Sequence, residues 1–209
     1  MKVLLLNGSP NAQGCTYTAL QEIAKELQKA GIESEIFQIG KKPISGCIAC
    51  RGCKAETAAG CVLPDGIVTE FQQKLADADG LIVGSPVYFA SANGSVISLL
   101  DRAFYSNRTG VVNKPASAVV SARRGGTTAT IDELNKYFLL AGMPVVSSSY
   151  WNMVHGNTPE EVLQDAEGLQ TMRNLARNMA WMLKSIEAGK AAGVEAPVRE
   201  LDHRTNFIR

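Results

Sequence analysis

Cys47, Cys50, Cys53 and Cys61 fall within fifteen residues as Cys-x2-Cys-x2-Cys-x7-Cys, while a fifth cysteine, Cys15, stands apart. Gaps of two residues let successive sulfurs turn inward on one short loop, which suits thiolates closing on a metal centre. Structural zinc sites more often combine two separated Cys-x2-Cys pairs. On spacing alone, a metal centre, a zinc site and an empty thiol loop all stay open. The segment that carries them, residues 41–64, is long for a connection between elements, and such loops are usually functional or held by something.

A second reactive pattern follows the first apolar run. Gly8-Ser9-Pro10-Asn11-Ala12-Gln13-Gly14-Cys15-Thr16-Tyr17-Thr18 carries no charge but offers hydroxyls and backbone N–H groups at a helix start, where the dipole favours an anion. Neither a Walker A Gly-Lys-Ser/Thr nor a Gly-x-Gly-x-x-Gly is present, and Gln38-Ile39 closes the next strand without a ribose-holding acid. Two more loops match it. In Gly84-Ser85-Pro86-Val87-Tyr88-Phe89-Ala90-Ser91, Pro86, Val87, Tyr88 and Phe89 form an apolar wall suited to a flat ring. In Ser121-Ala122-Arg123-Arg124-Gly125-Gly126-Thr127, Arg123 and the flexible Gly125-Gly126 bring donors to such a ring. Read singly, these are a capped turn, core aromatics and a solvated arginine pair; their co-occurrence favours a ligand. His155 reads as a satisfied loop residue rather than a catalyst, Trp151 as an interface or stacking residue, and no Ser-His-Asp set supports hydrolysis.

The elements that must position these loops alternate. Lys2 to Leu6 reads as a buried strand, then a helix from about Cys15 with Leu20, Ile23, Ala24, Leu27 and Ala30 on one face and Gly31 as its stop. Further strands are expected at Glu33 to Ile39, Gly80 to Val83, Ala116 to Val120 and from Val145-Val146. Helices are expected around Ile67 to Leu75, around Val96 to Phe104, over Leu134 and Phe138 behind a Thr130/Glu133 capping box, and as one long helix capped by Thr158. Five strands separated by helices predict a three-layer α/β domain with a parallel sheet over residues 1–188, followed by a tail, 189–209, that packs on the domain or a neighbouring subunit.

Bulk properties are those of a soluble enzyme-sized chain: 209 residues, 45% hydrophobic, 20% charged and a net charge of +1. The scattered basic residues argue against a nucleic acid or membrane-surface partner. The N-terminal apolar run is too short for a signal peptide and no stretch approaches the ~20 apolar residues of a membrane span. The expected location is the cytoplasm, where thiols stay reduced.

Asn7-Gly8-Ser9-Pro10, Gly84-Ser85-Pro86-Val87-Tyr88-Phe89 and Arg123-Arg124-Gly125-Gly126 resemble the NAD(P)H-dependent FMN reductase family of the flavodoxin-like fold, and with the cysteine segment the chain resembles its iron–sulfur flavoprotein branch. The resemblance spans about residues 1 to 185. It implies a five-stranded sheet of order 2-1-3-4-5, FMN as cofactor and NAD(P)H as co-substrate. It also implies phosphate contacts in the Ser9, Pro10, Gly14, Cys15, Thr16 and Tyr17 loop, ring contacts from Pro86 to Phe89, and further contacts from Ser121 to Gly126. Cys15 departs from the pattern, standing where many relatives carry Asn. A [4Fe–4S] cluster on Cys47, Cys50, Cys53 and Cys61 is implied likewise, with a quinone, nitro compound, free flavin or redox protein as acceptor and a homodimer or homotetramer as assembly. The competing readings are a non-enzymatic FMN/[4Fe–4S] electron carrier and a flavin-binding module with structural zinc.

Overall fold

A computed structural model describes residues 1–107, 109–203, 205 and 207. Strands β1 (Lys2–Asn7), β2 (Glu33–Gln38), β3 (Gly80–Tyr88), β4 (Ser91–Ala92), β5 (Ala116–Ala122) and β6 (Met153–His155) alternate with helices. These are α1 (Cys15–Lys29), α2 (Ile67–Ala76), α3 (Gly94–Ser106), α4 (Thr127–Ala141), α5 (Pro159–Gln164) and α6 (Ala166–Ala191). The sheet order is β2-β1-β3-β5-β6, all parallel, with the two-residue β4 turned back antiparallel on β3. Setting β4 aside, this is the expected 2-1-3-4-5 order; the sixth strand is the hairpin return.

The sheet is apolar on both faces because both are covered. Successive side chains of a strand point to opposite sides, so Leu4 and Leu6 join α2, α3 and α4 in one core. Val3 and Leu5 join α1 and α6 in the other. All four leucine and valine side chains are fully buried, and each contributes about 1.5–3 kcal/mol relative to exposure. Arginine is rare in such surroundings, yet Arg102 of α3 is among the most buried side chains.

Four expectations about elements are corrected. β3 continues past Val83 to Tyr88 and β5 past Val120 to Ala122. The cause is pairing between β3 and β5 that persists through Pro86 and Ser121. Val145 makes only an isolated bridge to Ala116, and the last strand forms instead at Met153–His155. The Thr130/Glu133 capping box does not form: α4 starts earlier, on Gly126, and Thr130 Oγ1 donates to Gly126 O at 2.9 Å. The long C-terminal helix is two, because Asp165 breaks off α5 and caps α6, accepting from Gly168 N at 2.9 Å. The Thr158 cap of α5 forms as expected, accepting from Glu161 N.

Candidate functional site

The carboxyl ends of β1, β3 and β5 lie side by side, and each leads into one of the three loops singled out in the sequence. Strands β1 and β3 are neighbours whose connections leave to opposite sides, the switch point at which open α/β sheets bind ligands.

The first loop is wired from below. Asn7, fully buried, donates from Nδ2 to Gln38 Oε1 at 2.5 Å and to Ala12 O at 3.3 Å, and its Oδ1 accepts from Ser9 N at 3.2 Å. Gln38 in turn donates to Ser9 O at 2.7 Å, and Ser9 Oγ accepts from Asn11 N at 3.1 Å. Gly8 N donates to Gly84 O at 2.8 Å, tying this loop to β3. A Cβ on Gly8 would stand 2.2 Å from Val96 Cγ2 and 2.5 Å from Gly84 O, so only glycine permits that approach.

The loop delivers an uncapped helix. Gly14 supplies no side-chain cap to α1, no acid lies in the first turn, and Thr18 N makes the first backbone bond, to Gly14 O. The N–H groups of Cys15, Thr16 and Tyr17 are left for an anion, in a loop without charge. Side chains of this turn are largely occupied: Thr16 Oγ1 and Ser121 Oγ bond each other at 2.8 Å, both buried, and Cys15 Sγ contacts Gly156 O at 3.6 Å. Burial pushes the Cys15 thiol up from its ordinary range. The Thr16–Ser121 bond uses one of the pair's two hydroxyl protons, so one hydroxyl keeps a proton to donate, while Cys15 offers chiefly its backbone N–H. Beside the loop a shallow depression of about 550 Å³ is lined by Pro10 to Gly14, Gln38, Gly40, Lys41 and Pro159.

The second loop is a two-residue hairpin turn. Tyr88 pairs with Ser91, leaving Phe89 (φ 51°) and Ala90 (φ 62°) in the left-handed region. Such turns favour Asn-Gly, and a bulky residue there is strained by about 1–3 kcal/mol. The strain is held by neighbours: Glu133 of α4 accepts from Ser91 Oγ at 2.8 Å and Ala92 N at 2.9 Å. Gly126 (φ 91°) packs so close that a Cβ would lie 2.7 Å from Ala90 Cα. Phe89 projects wholly into solvent and Tyr88 is about half exposed, leaving an apolar edge above the cleft. Asn93, the α3 cap, locks the arrangement by donating to Gly8 O at 2.7 Å and accepting from Ser95 N.

The third loop places Arg123, Arg124 and Gly125 at the surface beside that edge. His155 Nε2 lies 3.1 Å from the Arg124 carbonyl, so that nitrogen carries the proton, while His155 N donates to Asp165 Oδ2 at 2.7 Å. Its ring is thus hydrogen-bonded to the backbone of the third loop. Trp151 is half exposed and packs edge-on against Tyr150.

The cysteine segment leaves the same sheet end at Gly40 and descends along α3. Cys47, Cys50, Cys53 and Cys61 all line one cavity of about 20 Å³, with Val62, Arg102 and Tyr105. Left-handed residues at Ala49 and Arg51 turn the chain between successive cysteines. Among the described residues no three Cys, His, Asp or Glu side chains are drawn to metal-bonding distance. The donor set nevertheless fits a thiolate-bound centre: four cysteines lining one small space and a buried guanidinium to balance thiolate charge. Arg102 lies nine residues beyond the Asn93 cap, roughly 14 Å along the helix, so α3 carries both the lock on the switch-point loops and a wall of the thiol cavity. Asn93 and Arg102 were not among the residues singled out from sequence. Asn7 and Gln38 appeared there only within motifs, and Glu133 only as half of a capping box that does not form.

A neutral anion cradle at the switch point of a doubly wound parallel sheet, edged by an apolar hairpin, defines a flavodoxin-like nucleotide-binding protein. The NADPH-dependent FMN reductase family model matches residues 1–158, and the chain belongs to that family. It is 34% identical to an iron–sulfur flavoprotein of Methanocaldococcus jannaschii over 90% of this chain and 100% of the relative. It is 30% identical to an iron–sulfur flavoprotein of Methanosarcina thermophila over 91% of this chain and 99% of the relative. Its fold matches the structure of the NAD(P)H:quinone oxidoreductase from Methanothermobacter marburgensis with a TM-score of 0.66 at 20% identity, covering 86% of this chain and 98% of that one. The protein is an FMN-dependent oxidoreductase. No helix among the described residues is long and apolar enough to cross a membrane.

Proposed function

We propose that residues 1–188 form one flavin domain that takes reducing equivalents from NAD(P)H and passes them in pairs to a small-molecule acceptor, such as a quinone, nitro compound or free flavin, or singly to a [4Fe–4S] cluster on Cys47, Cys50, Cys53 and Cys61 and from there to a redox protein. The carrying observation is the uncapped, uncharged start of α1, whose three free N–H groups sit at the switch point. FMN supplies the hydride acceptance and onward electron delivery; the chain supplies binding, orientation and exclusion of water. Backbone N–H groups of Cys15 to Tyr17 and the Ser9 and Pro10 turn hold the phosphate. Pro86, Val87, Tyr88 and Phe89 line one side of the ring, and Arg123, Gly125 and Gly126 line its polar edge. No side chain need move a proton for hydride transfer.

The cluster reading is supported by the four thiols on one cavity and by the names of the two relatives. The exposed aromatics Tyr88 and Phe89, and separately Trp151, support a homodimer or homotetramer, and cysteine spacing that suits metal or redox chemistry rather than a disulfide framework supports a cytoplasmic location. The test is anaerobic reconstitution followed by flavin, iron and sulfide counts, then stopped-flow mixing with NADH and with NADPH. Rapid flavin bleaching is expected. Binding of FMN without bleaching makes the protein a carrier, zinc in place of iron makes the thiol site structural, and no affinity for FMN defeats the reading.

A further inference from the structure

Arg102 is 1% exposed, in the apolar body of α3, and it spends its fork on a single segment. Its Nη1 donates to Ser45 O at 3.2 Å, ahead of the first cluster cysteine. Both terminal nitrogens bond the Asp65 carboxylate, just beyond the last one, with Nη2 to Oδ1 at 3.0 Å. Its Nε donates to Cys61 Sγ at 3.3 Å. One guanidinium thus closes residues 45 to 65 into a loop and touches the sulfur of Cys61, the cysteine separated from the other three by seven residues. Truncating such a buried fork would leave Asp65 without its counter-charge and loosen both ends of the loop.

We infer that Arg102 is the positioning and tuning residue of the four-cysteine site, fixing Cys61 as the fourth ligand and stabilising the reduced charge state of the centre, with Asp65 as the counterweight that limits this effect. The inference rests on the cluster reading above. Reduction adds one electron and hence negative charge to a thiolate-bound centre, and N–H donors to sulfur together with nearby positive charge favour it. Removing Arg102 must therefore lower the potential. Neutralising Asp65 as Asp65→Asn must raise it, because the amide oxygen still accepts from Arg102 but no longer offsets its charge. A merely structural role would not move the two in opposite directions.

The test measures iron, sulfide and FMN content and the cluster midpoint potential, by optical and EPR titration, in anaerobically reconstituted wild type, Arg102→Gln, Arg102→Lys and Asp65→Asn. Arg102→Gln is expected to lower the one-electron reduction constant at least tenfold, a shift of about 59 mV, with FMN content unchanged. Asp65→Asn shifts upward, and Arg102→Lys stays nearer wild type than Arg102→Gln. If Arg102→Gln loses its iron, the upward shift of Asp65→Asn together with iron regained in Arg102→Lys carries the same conclusion. Shifts of equal sign, or none at full iron content, overturn the role of Arg102 while the cluster reading stands. Wild type that binds FMN but no iron or sulfide overturns both.

Discussion

At the switch point each turn is tied by several bonds from different elements, whereas the cysteine segment is closed by one buried side chain. Asn7, Gln38, Asn93 and Glu133 come from β1, β2, the α3 cap and α4, and each restrains loop backbone directly. Glycines at 8 and 126 let those backbones approach where a Cβ would collide. The thiol segment has little regular structure beyond the short turn Gly52–Lys54, and Cys47 and Cys50 are exposed. Arg102, with a lesser contribution from Lys54 on Tyr105 O and its ring, fastens it to α3. The difference teaches that the fold preorganises the first site, while the second is fastened to the core mainly by one buried charge.

The comparison breaks most visibly at Gly8. Gly8→Ala is expected to destabilise the protein by about 3 kcal/mol, because backbone on one side and Val96 on the other cannot both yield; chemical denaturation measures it. A loss below about 1 kcal/mol would show the switch point to be softer than its wiring implies. Asn7→Ala is next, at about 2 kcal/mol for the partners left unsatisfied, with FMN affinity falling about tenfold as the cradle loosens; fluorescence titration of FMN checks it. Replacing Phe89-Ala90 by Asn-Gly is expected to stabilise the fold by about 1 kcal/mol, since those residues suit the left-handed turn. If the exposed Phe89 is used in turnover, the same change lowers kcat/KM, and a more stable variant of unaltered activity would count against that use.

Cys50→Ser should abolish iron binding yet change the stability of the iron-free protein by less than about 0.5 kcal/mol, as for a surface position, and leave FMN affinity as in wild type. A parallel loss of FMN would make the two regions one unit. The smallest effect is a matter of rate. With its thiol pushed up by burial, Cys15 stays protonated to higher pH than an ordinary cysteine, so alkylation of the iron-free protein at neutral pH should reach the exposed Cys47 and Cys50 first. Labelling of Cys15 should rise only at pH above the usual thiol range; peptide mapping of iodoacetamide adducts over about pH 6 to 10 reads this out.

Much of this was legible in the chain itself. The apolar run Val3 to Leu6, the helical stripe of α1 ending at Gly31, the Thr158 cap and the charge-free Gly8 to Thr18 turn are local patterns, and local sterics and solvation determine them. Charge-free hydroxyl-rich chemistry at a helix start announces an anion site wherever the strand before it ends, and four cysteines at close spacing announce a thiol site. What sequence could not decide were the choices made by pairing and by distant partners. The last strand formed at Met153 rather than Val145 because β5 could pair there. Glu133 left its own helix cap to hold the hairpin at Ser91 and Ala92. Arg102 turned from a charge beside an apolar stripe into the clasp on residues 45 and 65, more than thirty-five residues away in the chain for either partner. Hydrogen bonds across such separations depend on which elements the folded core brings together, and only the tertiary structure fixes that.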